Sequence, residues 1–438
     1  MLLRPKLNLA LACLLAAGMS GYYFSVFLAK AQTVRASRDL DGGYAYGCDF
    51  YQVWLTSHEL LFKRVNPYTS EMTARIQMGV FGRVIDAHRP GDPLPYLAHF
   101  PYPLYTDFLV APVALVSFPT LQMIGSVVAP LLVVAGLLLW LQVINLRLSP
   151  SNTIALCLLT LTTYPILQGM YALQLTLLVA ALLAGAVNLL VKGHLILPGI
   201  LLGMASVKPQ LMFLPALFLM LWAISDLRKR KALVLAFAGT LAFLLVVSEI
   251  VLPGWLRTWA HALFEYRHYD EPPLSQYILG PTLGNIVAGM LIVAVAILIF
   301  RARLAPADST QFASTVALLL AITVPLVPSS IAVYDQILLV PAVLWLIARS
   351  AEIWNGGRTL RALGVIVSAA ISWQWIAACV VGLCCVLFPQ IRNTPWMMLP
   401  LRTAPSIPFI VILLCLFLIW KTPKGSLDSA PLAIPISR

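Results

Sequence analysis

One aspartate stands in the run YAYGCDFYQVW, residues 44–54, between Cys48 and Phe50 and shortly after a long apolar stretch. A carboxylate in that place has two uses. Asp49 can accept hydrogen bonds from the first amides of a helix, with Gln52 three positions on completing a capping box. Alternatively, it can take a proton from a substrate hydroxyl, the work of a general base. The first use opposes the second, because amide hydrogen bonds favour the ionised form and weaken the carboxylate as a base.

Lys208 is the second residue with chemical potential, since it sits before Pro209 inside the apolar run 197–223. A lysine in mid-membrane costs about 2.5–3.5 kcal/mol on insertion scales, so it needs a partner or a wet cavity. It can snorkel to an interface, pair with an anion such as a lipid phosphate, or pair with Glu249 on a neighbouring run. A third group lies in the polar stretch 253–280, where Trp255, Trp259, His261, Glu265, Arg267, His268, Asp270 and Glu271 crowd together. Its aromatic and charged residues read as an interfacial belt. Arg267 and His268 are candidates for phosphate or sugar contacts, and no HExxH or comparable spacing points to a metal. Tyr334-Asp335-Gln336 opens a later apolar run, where Asp335 is either a helix cap or a site residue.

The elements that must position these residues are membrane helices. Of 438 residues 60% are hydrophobic and 11% charged, and mean hydropathy is +0.89. A soluble domain is about one-quarter charged. The formal charge of +12 does not imply nucleic acid, because the basic residues fall in short clusters between apolar runs rather than on an aromatic-interleaved face. Seven cysteines, six of them inside apolar runs, form neither a disulfide framework nor a CxxC metal site. Arg4 and Lys6 precede the run 7–29, which is long enough to span and reads as an uncleaved anchor rather than a secretory signal.

Apolar runs at 7–29, 104–118, 120–144, 152–166, 173–191, 197–223, 232–252, 281–300, 312–327, 335–349, 361–388 and 404–420 predict about twelve spans. The run 197–223 is taken as one helix kinked at Lys208-Pro209. A cytoplasmic N-terminus puts Arg4, Lys6, Arg228 to Lys231, Arg301, Arg303, Arg349, Arg358, Arg361, Lys421, Lys424 and Arg438 inside, and fewer basic residues (Arg147, Lys192, Arg257, Arg267, Arg392, Arg402) in short outside loops. That bias is the positive-inside pattern. Splitting the Lys208 run would place the Arg228 cluster outside. Asp49 then lies on the non-cytoplasmic face, in a loop over 30–102 whose acidic and basic residues nearly balance. Phe50, Trp54, Leu61 and Val65 line one apolar face of a helix expected to lie on the membrane surface and to end at Asn66-Pro67. A second polar helix is expected over about 69–88, and the Pro-rich stretch 89–103 reads as an ordered rim. Residues 1–421 form one transmembrane domain in this reading, with 422–438 as a cytoplasmic tail.

The order Asp49-Phe50-Tyr51, Asn66-Pro67-Tyr68, Tyr102-Pro103-Leu104, "LPGILLGMASVKP" at 197–209 and Tyr334-Asp335-Gln336 resembles the motifs of the family 87 glycosyltransferases of the GT-C fold. The similarity runs over about residues 40–345. Its members resemble polyprenol-phosphate-mannose-dependent mannosyltransferases. Two departures stand out: Leu104 replaces a second proline, and Leu173-Gln174-Leu175-Thr176 replaces Gly-Gln-x-Asn. The resemblance implies an all-α GT-C bundle of about twelve transmembrane helices in a cell membrane, most plausibly a bacterial inner membrane. It implies Asp49 as general base, and Tyr51, Asn66, Tyr68, Tyr102, Gln174, Tyr334, Asp335 and Gln336 as substrate contacts, with no cofactor. Nucleotide sugars are cytoplasmic, so an outward-facing base needs a polyprenyl-phosphate-linked donor, whose phosphate Lys208, Arg267 and His268 would bind. The acceptor is a lipid or glycan, and the partners otherwise are the bilayer and no nucleic acid. A transporter or flippase is the alternative, but the halves show no self-similarity. An O-antigen ligase or polymerase would carry its long outside loop late in the chain.

Overall fold

The computed structural model describes residues 5–86, 88–93, 98–267, 272–327 and 332–421, and among these there is no strand. Among the described residues six helices are long and apolar enough to cross a membrane, or seven if one bent pair counts as a single span. Five shorter apolar helices lie among them. The chain is a multi-pass, all-helical membrane protein.

Helix α1, Pro5–Ser37, leads into a loop that carries α2, Cys48–Lys63, and α3, Ser70–Phe81. Thr69 caps α3 through its hydroxyl, which accepts from the Met72 amide. Helix α2 ends earlier than expected, at Arg64 in the left-handed conformation (φ 55°). Its buried face is Tyr51, Gln52, Val53, Thr56, Ser57, Glu59 and Leu60. Of the expected apolar face, Phe50, Trp54 and Val65 pack partly buried against the core of the loop while Leu61 is exposed, and several of the most buried positions are polar. The reason is that α2 buries polar groups with dedicated partners: Glu59 is held by Lys63 and Arg75 at 2.7 and 2.8 Å, and Thr56 and Ser57 by Asp107.

The run 104–118 is not a span. It folds as α4, Tyr105–Leu109, and a 3-10 turn, Ala111–Leu115, because Pro112 and the buried Asp107 interrupt it. Ser117 then caps α5, Phe118–Val143. Next come α6, Pro150–Leu161, and α7, Tyr164–Ala172, bent by 65°, followed by α8, Leu175–Val191.

The run 197–223 is also corrected. It forms α9, Ile196–Ala205, and α10, Pro209–Ser225, separated by a break at 206–208, and α11 follows as Leu227–Val251. A Cβ at Gly199 would lie 2.7 Å from the Leu233 carbonyl and one at Gly203 2.6 Å from Thr240 Cγ2. The two glycines, four apart on one helical face, let α9 lie close against α11, as small-xxx-small pairs do in membranes. That register makes α9 parallel to α11. Helix α10 enters α11 through Asp226 alone, and Arg230 donates to the Trp222 carbonyl at 2.6 Å, so α10 is antiparallel to α11. The chain therefore reverses direction at Lys208.

The two corrections cancel further along the chain. Asn8 bonds Asn152, Lys192 bonds Gln142 at 3.1 Å, and Trp222 bonds the Ala305 carbonyl. Lys6, Arg147, Lys192, Arg228 to Lys231, Arg301 and Arg303 thus share one end of the bundle, and Arg147 and Lys192 leave the side first assigned to them. The opposite end gathers the 206–208 break, the starts of α2, α5 and α8, and α12, Trp255–Arg267, whose Trp259 donates to the Pro101 carbonyl at 3.1 Å. Helices α13, Leu274–Ala302, α14, Thr310–Leu326, α15, Val340–Ala348, α16, Arg358–Leu387, and the helical run Pro395–Lys421 complete the bundle.

Candidate functional site

Gly47, in the left-handed region at φ 73°, brings the chain into α2 and donates its N–H to the Tyr171 carbonyl at the end of α7. A side chain at Gly47 would press on Leu173 and Phe118, so the turn stays close to the bundle. Asp49 sits in the first turn of α2, but its side chain makes no capping bond. Its Oδ2 accepts instead from Gln174 Nε2, across 125 residues of sequence. The capping-box reading is therefore not realised.

Gln174 stands at the N-terminus of α8, and its Oε1 accepts from Lys208 Nζ at 2.9 Å. Lys208 also donates to Thr176 Oγ1 at 2.7 Å. Thr176 in turn donates to Asp335 Oδ1 at 2.7 Å, and the Lys208 ammonium lies 3.9 Å from the same oxygen. The Tyr334 ring faces the ammonium at 5.0 Å from its centroid, within cation–π range. Lys208 is thus neither a snorkelling residue nor the partner of Glu249, which accepts from the Gly254 amide. Asp335 does not cap its helical turn either. The break at 206–208 is itself tied down, because Tyr105 donates to the Ser206 carbonyl at 3.0 Å.

Exposure divides the cluster. Gln174 is 5% exposed, Thr176 0%, Lys208 5% and Asp335 4%, whereas Asp49 is only half-buried. Its Oδ1 carries just the Cys48 thiol contact at 3.5 Å. Burial pushes the Asp49 carboxyl above the usual carboxylate range, against the opposing pull of the Gln174 hydrogen bond and the Lys208 charge. A carboxylate raised in this way is a better base than a solvated one.

The remaining candidates are distributed around this centre. Tyr51 packs on Phe118 at 4.9 Å between ring centroids and makes aromatic contacts with Tyr44 and Trp54. Asn66 accepts from the Tyr68 amide in a turn, and Tyr68 donates to the Tyr102 carbonyl at 2.9 Å. These residues build the loop rather than joining the Asp49 cluster. Gln336 lines a separate cavity of about 230 Å³ walled by Thr163, Val340, Leu344 and Trp375. Arg267 ends α12, but its side chain and His268 lie outside the described residues. Among the described residues no group of three or more His, Cys, Asp or Glu side chains is placed to hold a metal.

Two further residues carry polar contacts to which the sequence reading gave no role. Thr176 bridges Lys208 to Asp335, and its place in the segment that replaces Gly-Gln-x-Asn was the signal for it. Asp107 is 0% exposed; its Oδ1 accepts from Thr56 and Ser57, each at 3.0 Å, and its Oδ2 has no hydrogen-bond partner. Burial pushes its carboxyl up to about 8. The rule that singled out Lys208, a charge inside an apolar run, applied equally to Asp107.

The model of glycosyltransferase family 87 matches residues 100–329, just over half of the chain. The match includes Gln174, Thr176 and Lys208, while Asp49 precedes it and Asp335 follows it. No curated protein and no solved structure matches significantly. With the membrane bundle and this match together, the chain belongs to glycosyltransferase family 87.

Proposed function

We propose that this membrane glycosyltransferase transfers a hexose, with mannose favoured, from a polyprenyl-phosphate-linked donor to a lipid or glycan acceptor on the extracytoplasmic face, with Asp49 as general base. The observation that carries the reading is the exposure pattern: within the hydrogen-bonded cluster Asp49 is the one residue that is not fully buried, while Gln174, Thr176, Lys208 and Asp335 are. Positive-inside bias supports the side, since the end holding Lys6, Arg147, Lys192 and the Arg228 cluster lies opposite Asp49. Outside, nucleotide sugars are absent and a lipid carries the sugar. The domain reading, one transmembrane domain over 1–421 with 422–438 as a tail, goes with this proposal.

In the proposed reaction the acceptor hydroxyl oxygen bonds to the anomeric carbon while its proton moves to Asp49 Oδ1. The bond from that carbon to the phosphate oxygen breaks, polyprenyl phosphate leaves as an anion from the opposite face, and the anomeric centre inverts. Such a leaving group needs cationic stabilisation more than a general acid. Arg267 and His268 are the proposed source, since Lys208 already gives two of its three N–H groups to protein oxygens. Incubation of purified protein with radiolabelled polyprenyl-phosphate mannose or with labelled nucleotide-mannose tests the donor. Sugar release from the lipid alone supports the reading; release from the nucleotide alone refutes it.

A further inference from the structure

The direction of every hydrogen in the buried cluster follows from donor chemistry. An ammonium only donates, so Gln174 must turn its carbonyl to Lys208 and its NH₂ to Asp49. For the same reason Thr176 accepts from Lys208 and spends its own hydrogen on Asp335. The chain thus runs outward from one cation to two carboxylates. Asp49 is the one member that is not fully buried, and the other four lie within the core. One cation between two carboxylates also makes a poor receptor for a third anion, which argues against Lys208 as the main ligand of a phosphate.

We infer that Gln174, Thr176, Lys208 and Asp335 are positioning residues for Asp49: Lys208 locks the Gln174 amide with its N–H aimed at Oδ2, and Asp335, through Thr176, holds Lys208 in register. This leaves Oδ1 as the reacting oxygen. Without the lock, the Gln174 amide can flip and present its carbonyl to the carboxylate, a repulsive contact. The inference rests on the reading of Asp49 as the base, but its test does not require turnover. The titratable and charged groups facing Asp49 are Cys48 on its own helix, Lys208 at the 206–208 break, and Asp335 behind Lys208; Arg35 and Tyr171 bear on Cys48.

The experiment follows Asp49 protonation directly. Full-length protein in detergent is titrated with dicyclohexylcarbodiimide, which modifies protonated carboxyls, and Asp49 modification is read by mass spectrometry against pH. Gln174→Met removes the hydrogen bond that favours the ionised form, so the midpoint should move up by about one pH unit. Thr176→Val, nearly isosteric, should move it up by less, and Thr176→Ser should bring it back towards wild type. Where transfer from the lipid donor is measurable, kcat at pH values below the midpoint should fall by about tenfold in Gln174→Met, with donor KM within about twofold. A midpoint unchanged in both Gln174→Met and Thr176→Val overturns the inference. A shifted midpoint in a protein that transfers no lipid-linked sugar leaves the positioning chain standing and removes the donor assignment instead.

Discussion

Replacing Lys208 by methionine keeps its length and removes its charge. Two unit charges 3.9 Å apart attract by about 4 kcal/mol at an effective dielectric of about 20. The larger effect is what remains: Asp335, 4% exposed, becomes a buried carboxylate without its cation, a loss of about 3–5 kcal/mol in comparable buried pairs. Asp335→Asn keeps an acceptor for the Thr176 hydroxyl while removing the charge. In the double variant Lys208→Met/Asp335→Asn neither charge is stranded, so most of the single-variant cost should disappear. The expected coupling is about 3 kcal/mol, well above the ~0.5 kcal/mol of independent sites. Thermal unfolding of the four proteins in the same detergent, followed by tryptophan fluorescence, measures it. If Lys208→Met costs the same whether residue 335 is Asp or Asn, the two charges do not interact and the buried ion pair is refuted.

Asp107 should make stability depend on pH. Its carboxyl titrates at about 8 in the folded chain and at about 3.9 when unfolded, so the folded state retains a proton that the unfolded state releases. Its stabilising effect is complete below about pH 4 and is lost as pH rises to about 8, by up to the order of 5 kcal/mol. Asp107→Asn should abolish that decline, and unfolding curves that fall in parallel for both proteins from pH 5 to 8 would contradict it. At the α9–α11 contact, Gly199→Ala forces a methyl to 2.7 Å from the Leu233 carbonyl and should destabilise by about 1–3 kcal/mol. Gly289→Ala meets nothing within 4 Å and should be neutral in the same melting assay. Equal melting temperatures for the two would mean that the glycines do not set the contact.

Membrane class is legible in the sequence because it follows from composition, and Lys208 stands out because a charge inside an apolar run is costly. The partners do not. Gln174 and Asp335 meet Lys208 only because the chain turns back at 206–208, and hydropathy cannot tell a kinked span from two antiparallel ones when both halves are equally apolar. Helix α2 was legible only in part for a related reason. Its apolar spacing selects one face, but the hydroxyls of Thr56 and Ser57 face inward to serve Asp107, which sits 50 residues away in sequence. Asp107 itself was hidden inside a run counted as a span, although a five-residue helix cannot cross a bilayer. Polar groups satisfied through long-range contacts leave no periodic trace.

Turnover by Asp49→Asn bears most directly on the central assignment. The amide keeps the shape and can still accept from Gln174, but cannot take a proton. Transfer from polyprenyl-phosphate mannose should therefore fall by at least about 100-fold, while binding of the labelled donor stays within about twofold of wild type. An asparagine variant that turns over at the wild-type rate would show that Asp49 is not the base.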